Sequence, residues 1–157
     1  MGNDAITAVN HWRGQCLDNF ARAEKAIISA FAFEVFASLE APPKLHETAA
    51  HRTRNLAQAL RRSWPNNPSA NKAVAQLENW SLREKQRNHL VHGCFTVKPN
   101  GTGRWRLVNE TTEVRKGFSV TNRVPITNIE AEALLAAIIS ERKELEATLI
   151  ELKSLSP

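Results

Sequence analysis

Apolar residues recur every three or four positions through the first part of the chain. Val9, Trp12, Cys16, Phe20, Ala23, Ile27 and Ala30 form the stripe of a long amphipathic helix, and Phe31, Val35, Phe36 and Leu39 widen it. The spacing predicts a first helix over 5–39. Ala41-Pro42-Pro43 stops it, because proline lacks an amide donor and restricts the residue before it. Pro43 suits a first helical turn, so a second helix is predicted over 43–63, with Leu45, Ala49, Leu56, Ala59 and Leu60 as its apolar face. Trp64-Pro65-Asn66-Asn67-Pro68 is dense in turn formers. Ser69 then reads as the N-cap of a third helix whose core positions are Val74, Leu77, Trp80, Leu82, Leu90 and Val91, with Gly93 just past its end.

After Gly93 the period drops to two. Residues 94–98 and 104–108 read as a β-hairpin closed by the five-residue turn 99–103, and a third short strand is predicted over 116–120. Thr127 and Glu130 have the spacing of a capping box, opening a last helix lined by Leu134, Ile138, Leu145, Leu149 and Leu152. The expected architecture is a single all-α domain over 1–157. It is a four-helix bundle with a small β-hairpin insertion, at about 94–120, between helices 3 and 4.

Composition narrows the class. At 157 residues, 42% hydrophobic and 24% charged, the chain has ordinary globular usage, which excludes a disordered polymer. Two cysteines exclude a disulfide framework, and no Cys/His cluster has zinc-site spacing. No secretory signal and no long apolar run is visible, so the expectation is a soluble, cytoplasmic protein without membrane contact. The net charge of +5 is uneven: residues 48–77 hold Arg52, Arg54, Arg61, Arg62 and Lys72 and no acidic residue. Such a stretch either attracts a polyanion or is simply a solvated helix face. Nothing in it reads as a helix-turn-helix with a recognition helix.

The chemistry lies in Arg83-Glu84-Lys85-Gln86-Arg87-Asn88-His89-Leu90-Val91-His92-Gly93. Arg87 is a permanent cation with a planar fork of donors suited to phosphate. His92 is the side-chain type that titrates near neutrality. Five positions apart, they point about 140° from one another on an ideal helix, so one cleft holds both only at a helix end or with a second helix. Arg83 and His89 form a second pair of similar spacing. The bland alternative is that these side chains cap helix carbonyls.

Arg87-Asn88, two apolar residues and His92-Gly93 resemble the R-x4-6-H signature of HEPN domains. The resemblance implies a four- to five-helix unit that works as a homodimer and cleaves RNA without metal or other cofactor. Many such domains act in toxin–antitoxin or defence systems, so an antitoxin partner is also implied. On that reading Arg87, His92 and Asn88 are catalytic: His92 as acid or base, Arg87 neutralising the phosphate, Asn88 orienting Arg87 or the ligand. Arg83, Lys85, Arg104 and Arg106 are the expected RNA-binding residues. Trp105 between two arginines either stacks a base or fills the hairpin's apolar face. One toxin subgroup has a tyrosine two residues after its histidine; here that position is Cys94, and the chain has no tyrosine. Family members without nuclease activity make a dimerisation or partner-binding module the alternative function.

Overall fold

The long N-terminal stripe folds as a helix, but the helix stops early. In a computed structural model that describes all residues except 1, 38, 41–43, 45, 100–103 and 155–157, α1 spans Gly2–Ala30. Val9, Trp12, Cys16, Phe20, Ala23, Ile27 and Ala30 are all buried along it. Beyond Ala30 the chain tightens into i→i−3 hydrogen bonds at Phe31, Ala32 and Phe33 and enters the short α2 (Glu34–Ala37). The shifted stripe is the reason: the Phe33 and Phe36 rings pack 5.9 Å apart, and Phe36 and Leu39 are buried.

The next helix, α3 (Ala49–Ser63), starts later than expected. Thr48 is its N-cap, with its hydroxyl accepting from the His51 amide; Pro43 and Leu45 lie outside the described residues. The cap of α4 (Pro68–Leu82) is Asn67, which accepts from the Ala70 amide at 3.0 Å, and not Ser69. Pro68 occupies the first turn, where a missing amide hydrogen costs nothing. The predicted third helix is in fact two, because Arg83 turns the chain between α4 and α5 (Glu84–His92).

The all-α expectation is wrong: the fold is mixed α/β. Between α5 and α6 (Asn128–Glu151) lies a three-stranded antiparallel sheet of order β1 (Cys94–Pro99), β2 (Trp105–Arg115), β3 (Phe118–Thr127). The β segment is therefore far more than a small hairpin at 94–120. The predicted strand over 116–120 begins in what is really the second turn. Lys116 and Gly117 both have positive φ, 48° and 81°, the conformation a two-residue hairpin needs. Long strands form because β2 keeps strict alternation past its apolar part: Leu107, Asn109 and Thr111 are buried, while Arg106 and Thr112 are exposed. Register places Phe95 opposite Asn109 and Val97 opposite Leu107 on the inner face, and Lys98 opposite Arg106 on the outer one.

The chain packs as two compact units. In the first (Met1–Asp18 with Lys85–Ile138), the sheet's inner face meets α1: the Trp12 and Trp105 rings lie 6.1 Å apart, and Trp12 Nε1 donates to the Ala131 carbonyl at 2.7 Å. Trp105 is thus a packing residue, half-buried against another indole. In the second (Asn19–Glu84 with Ile139–Pro157), α3 and α4 pack together, Leu56, Leu60, Leu77, Leu145 and Leu149 are fully or almost fully buried, and Phe20 meets Trp80 at 5.3 Å. Each such leucine contributes roughly 1.5–3 kcal/mol through the water it sheds. The capping box at α6 is present: Glu130 accepts from the Thr127 amide at 2.8 Å, and the Thr127 hydroxyl accepts from the Glu130 amide. No described helix is long and apolar enough to cross a membrane.

Candidate functional site at the end of α5

A helix ending at His92 leaves the carbonyls of residues 89–92 without helical partners. Three of the four are taken up. His89 O accepts from the Gly93 amide and from Asn109 Nδ2, both at 3.0 Å. Leu90 O accepts from Arg13 Nε at 2.6 Å, and Val91 O from Arg13 Nη2 at 3.0 Å. The same guanidinium lies 4.6 Å over the Phe95 ring, a cation–π contact that ties it to β1. Arg13 and Asn109 thereby fix the last turn of α5 to α1 and β2.

Gly93 is required by space. A Cβ there would stand 1.8 Å from Asn109 Oδ1 and 2.4 Å from His89 O. Its φ is not positive, so it does not act as the left-handed helix stop that the sequence suggests. Asn109 is almost fully buried, and among the described residues its Oδ1 has no hydrogen-bond partner.

On this anchored helix the predicted residues divide between two faces. Lys85, Asn88 and His92 are exposed and, at spacings of three and four, share a side. Arg87 is half-buried and already engaged within the protein. The roughly 140° between Arg87 and His92 therefore corresponds to a real difference in environment. Within one chain the helix does not present the guanidinium and the imidazole together on its open side.

The second Arg–His pair has structural partners. Arg83 Nε donates to Glu141 Oε2 at 2.8 Å and Arg83 Nη2 to Glu141 Oε1, a two-pronged pair with both groups partly buried. That hydrogen bond, aided by the nearby carboxylate charge, raises the Arg83 pKa above its ordinary value against the opposing effect of burial. Arg83, expected to bind RNA, is thus committed to a carboxylate. His89 Nδ1 lies 3.1 Å from Thr111 Oγ1.

The remaining expected RNA contacts, Arg104 and Arg106, are exposed, and Arg106 points to the outer face of the sheet, away from the face that receives α1. Cys94 is an exposed thiol, whereas burial pushes Cys16 up to about 12 and keeps it protonated.

Arg13, Asn109 and Thr111 were not singled out by sequence reasoning. For Asn109 and Thr111 a signal exists, since they continue the inward parity of Leu107 along β2. Arg13 has no local signal, because its acceptors are 77 and 78 residues away. Searches of protein-family models, curated proteins and solved structures return no match to the chain.

Proposed function

We propose that the chain is a HEPN-like endoribonuclease that acts as a homodimer and needs no metal. The observation that carries this reading is the exposed His92 on a helix end whose carbonyls are held by Arg13 and Asn109, with Asn88 and Lys85 on the same side. A general acid or base works when it is held still and open to the substrate. Because Arg87 lies on the other flank, the groove that joins it to a histidine is completed by a second copy. The His92 of one copy takes the proton of a ribose 2′-hydroxyl as that oxygen bonds to the adjacent phosphorus. The 5′-oxygen leaves with a proton from the His92 of the second copy, and Arg87 neutralises the phosphorane. The products are a 2′,3′-cyclic phosphate and a 5′-hydroxyl.

Incubation with total RNA in EDTA tests the reading. Wild type cleaves and His92→Ala loses activity by at least 100-fold, about the lower end of what a positioned acid–base group contributes. Equal, negligible cleavage by both removes the nuclease assignment.

The engaged, half-buried Arg87 favours a second reading, a non-catalytic module in which Arg87 is a structural tie. That reading has Arg87→Ala lowering stability or dimerisation, with no activity to lose.

A further inference from the structure

The outer face of the sheet contrasts two cross-strand rows. In one, Glu110 on β2 stands opposite Arg123 on β3, and Arg123 Nε donates to the carboxylate at 2.6 Å. In the other, Lys98 on β1 stands directly opposite Arg106 on β2, cation against cation, with Thr127 beyond Arg106 on β3. Arg104, just before β2, adds a third positive charge. All three basic residues are exposed. Among the described residues none of them is hydrogen-bonded or ion-paired to a carboxylate, and the negative group acting on the row is Glu130, which feels the Arg106 charge. Like charges directly opposite on one face destabilise a strand pair. The fold keeps such a pair at one end of the sheet while using a complementary pair four residues further along β2.

We propose that this row is a binding surface for the phosphodiester backbone of single-stranded RNA, with Lys98 and Arg106 bridging one phosphate and Arg104 reaching the next. The outer-face positions Thr96, Val108, Thr112, Ser119, Thr121 and Pro125 offer no aromatic ring for base stacking, so recognition is of the backbone and indifferent to sequence. The inference rests on the reading of the chain as an RNA-acting protein and adds Lys98, together with a surface separate from the open face of α5.

The test is Lys98→Glu, which turns the repulsive row into a copy of the Glu110–Arg123 row. Binding is read by fluorescence anisotropy with a labelled 2′-O-methyl oligouridine, which cannot be cleaved through its 2′-oxygen. The expected result is affinity lower by about tenfold at 0.1 M salt and a log K against log salt slope shallower by about 0.7, one single-strand phosphate contact. The melting temperature holds or rises in the same variant. Unchanged binding and slope overturn the proposal, as does a lower melting temperature that accounts for the lost binding. Loss of retention on phosphatidylserine vesicles with oligouridine binding intact also overturns it, in favour of a membrane surface. The two readings fail separately. Wild type that cuts no RNA yet loses oligouridine binding on Lys98→Glu keeps this surface and removes the nuclease. His92→Ala that loses cleavage while Lys98→Glu binds normally does the reverse.

Discussion

In the unit built from Asn19–Glu84 and Ile139–Pro157, five of the described cations are tied to carboxylates of the protein. Arg52 reaches the Glu24 carboxylate and the Glu47 carbonyl, Arg61 pairs with Glu78, Lys72 with Glu151, Arg83 with Glu141, and Arg142 with Glu146 and Asn19. In the unit built from Met1–Asp18 and Lys85–Ile138, Arg123 pairs with Glu110 and Arg13 serves backbone carbonyls, while among the described residues Lys98, Arg104 and Arg106 face solvent without a carboxylate bond. Three of the five cations in the acid-free stretch 48–77 therefore have carboxylate partners supplied from outside it. A run of positive charge in sequence is a statement about composition. Which charges reach a polyanion is decided by where the carboxylates fold.

Variants that remove one cation at a time sharpen this contrast. Arg52 is 8% exposed, so Arg52→Ala strands the Glu24 carboxylate and the Glu47 carbonyl and costs about 2–3 kcal/mol, read by urea unfolding. Arg13→Ala removes two carbonyl hydrogen bonds and a cation–π contact and costs about 1–2 kcal/mol. Its diagnostic effect is faster amide exchange over 89–93 and slower RNA cleavage with unchanged oligouridine binding.

Glu130 gives a smaller, pH-dependent effect. The Thr127 amide, then its hydroxyl, and more weakly Arg106, hold the Glu130 carboxyl below its ordinary value. A lowered folded-state value means that the contribution is complete above the usual carboxylate pKa of about 4.3 and disappears as pH falls through the lowered value. Melting curves of wild type and Glu130→Gln are therefore separate near neutrality and converge on acidification. Smallest is Lys72→Ala, about 0.5 kcal/mol or less, since both partners are half exposed. A loss there as large as at Arg52 would break the distinction between tied and solvated cations.

How much was legible follows the same division between local and distant causes. The α1 stripe, the Thr127–Glu130 box and the face of α6 were readable because periodicity and caps are local. The end of α1 was not, because Phe31, Val35, Phe36 and Leu39 preserve apolar spacing while the backbone turns. The break at Arg83 was hidden for another reason: its carboxylate partner is 58 residues away. The sheet was underestimated because Asn109, Thr111 and Glu113 look like loop residues. Inward parity is tolerable for Asn109 and Thr111 because His89 meets them, with its carbonyl and its ring nitrogen. At the site, Arg87 and His92 stood out by residue type and spacing, but the separation of their environments and the anchoring by Arg13 depend on the folded neighbours of α5.

The most direct test of the role assigned to α5 is the chemistry of the cut ends. Wild-type protein is incubated with a defined RNA in EDTA and the fragments are weighed by mass spectrometry. The account predicts 2′,3′-cyclic phosphate and 5′-hydroxyl termini, absent with His92→Ala. Fragments ending in 3′-hydroxyl and 5′-phosphate, or no fragments at all, would contradict it.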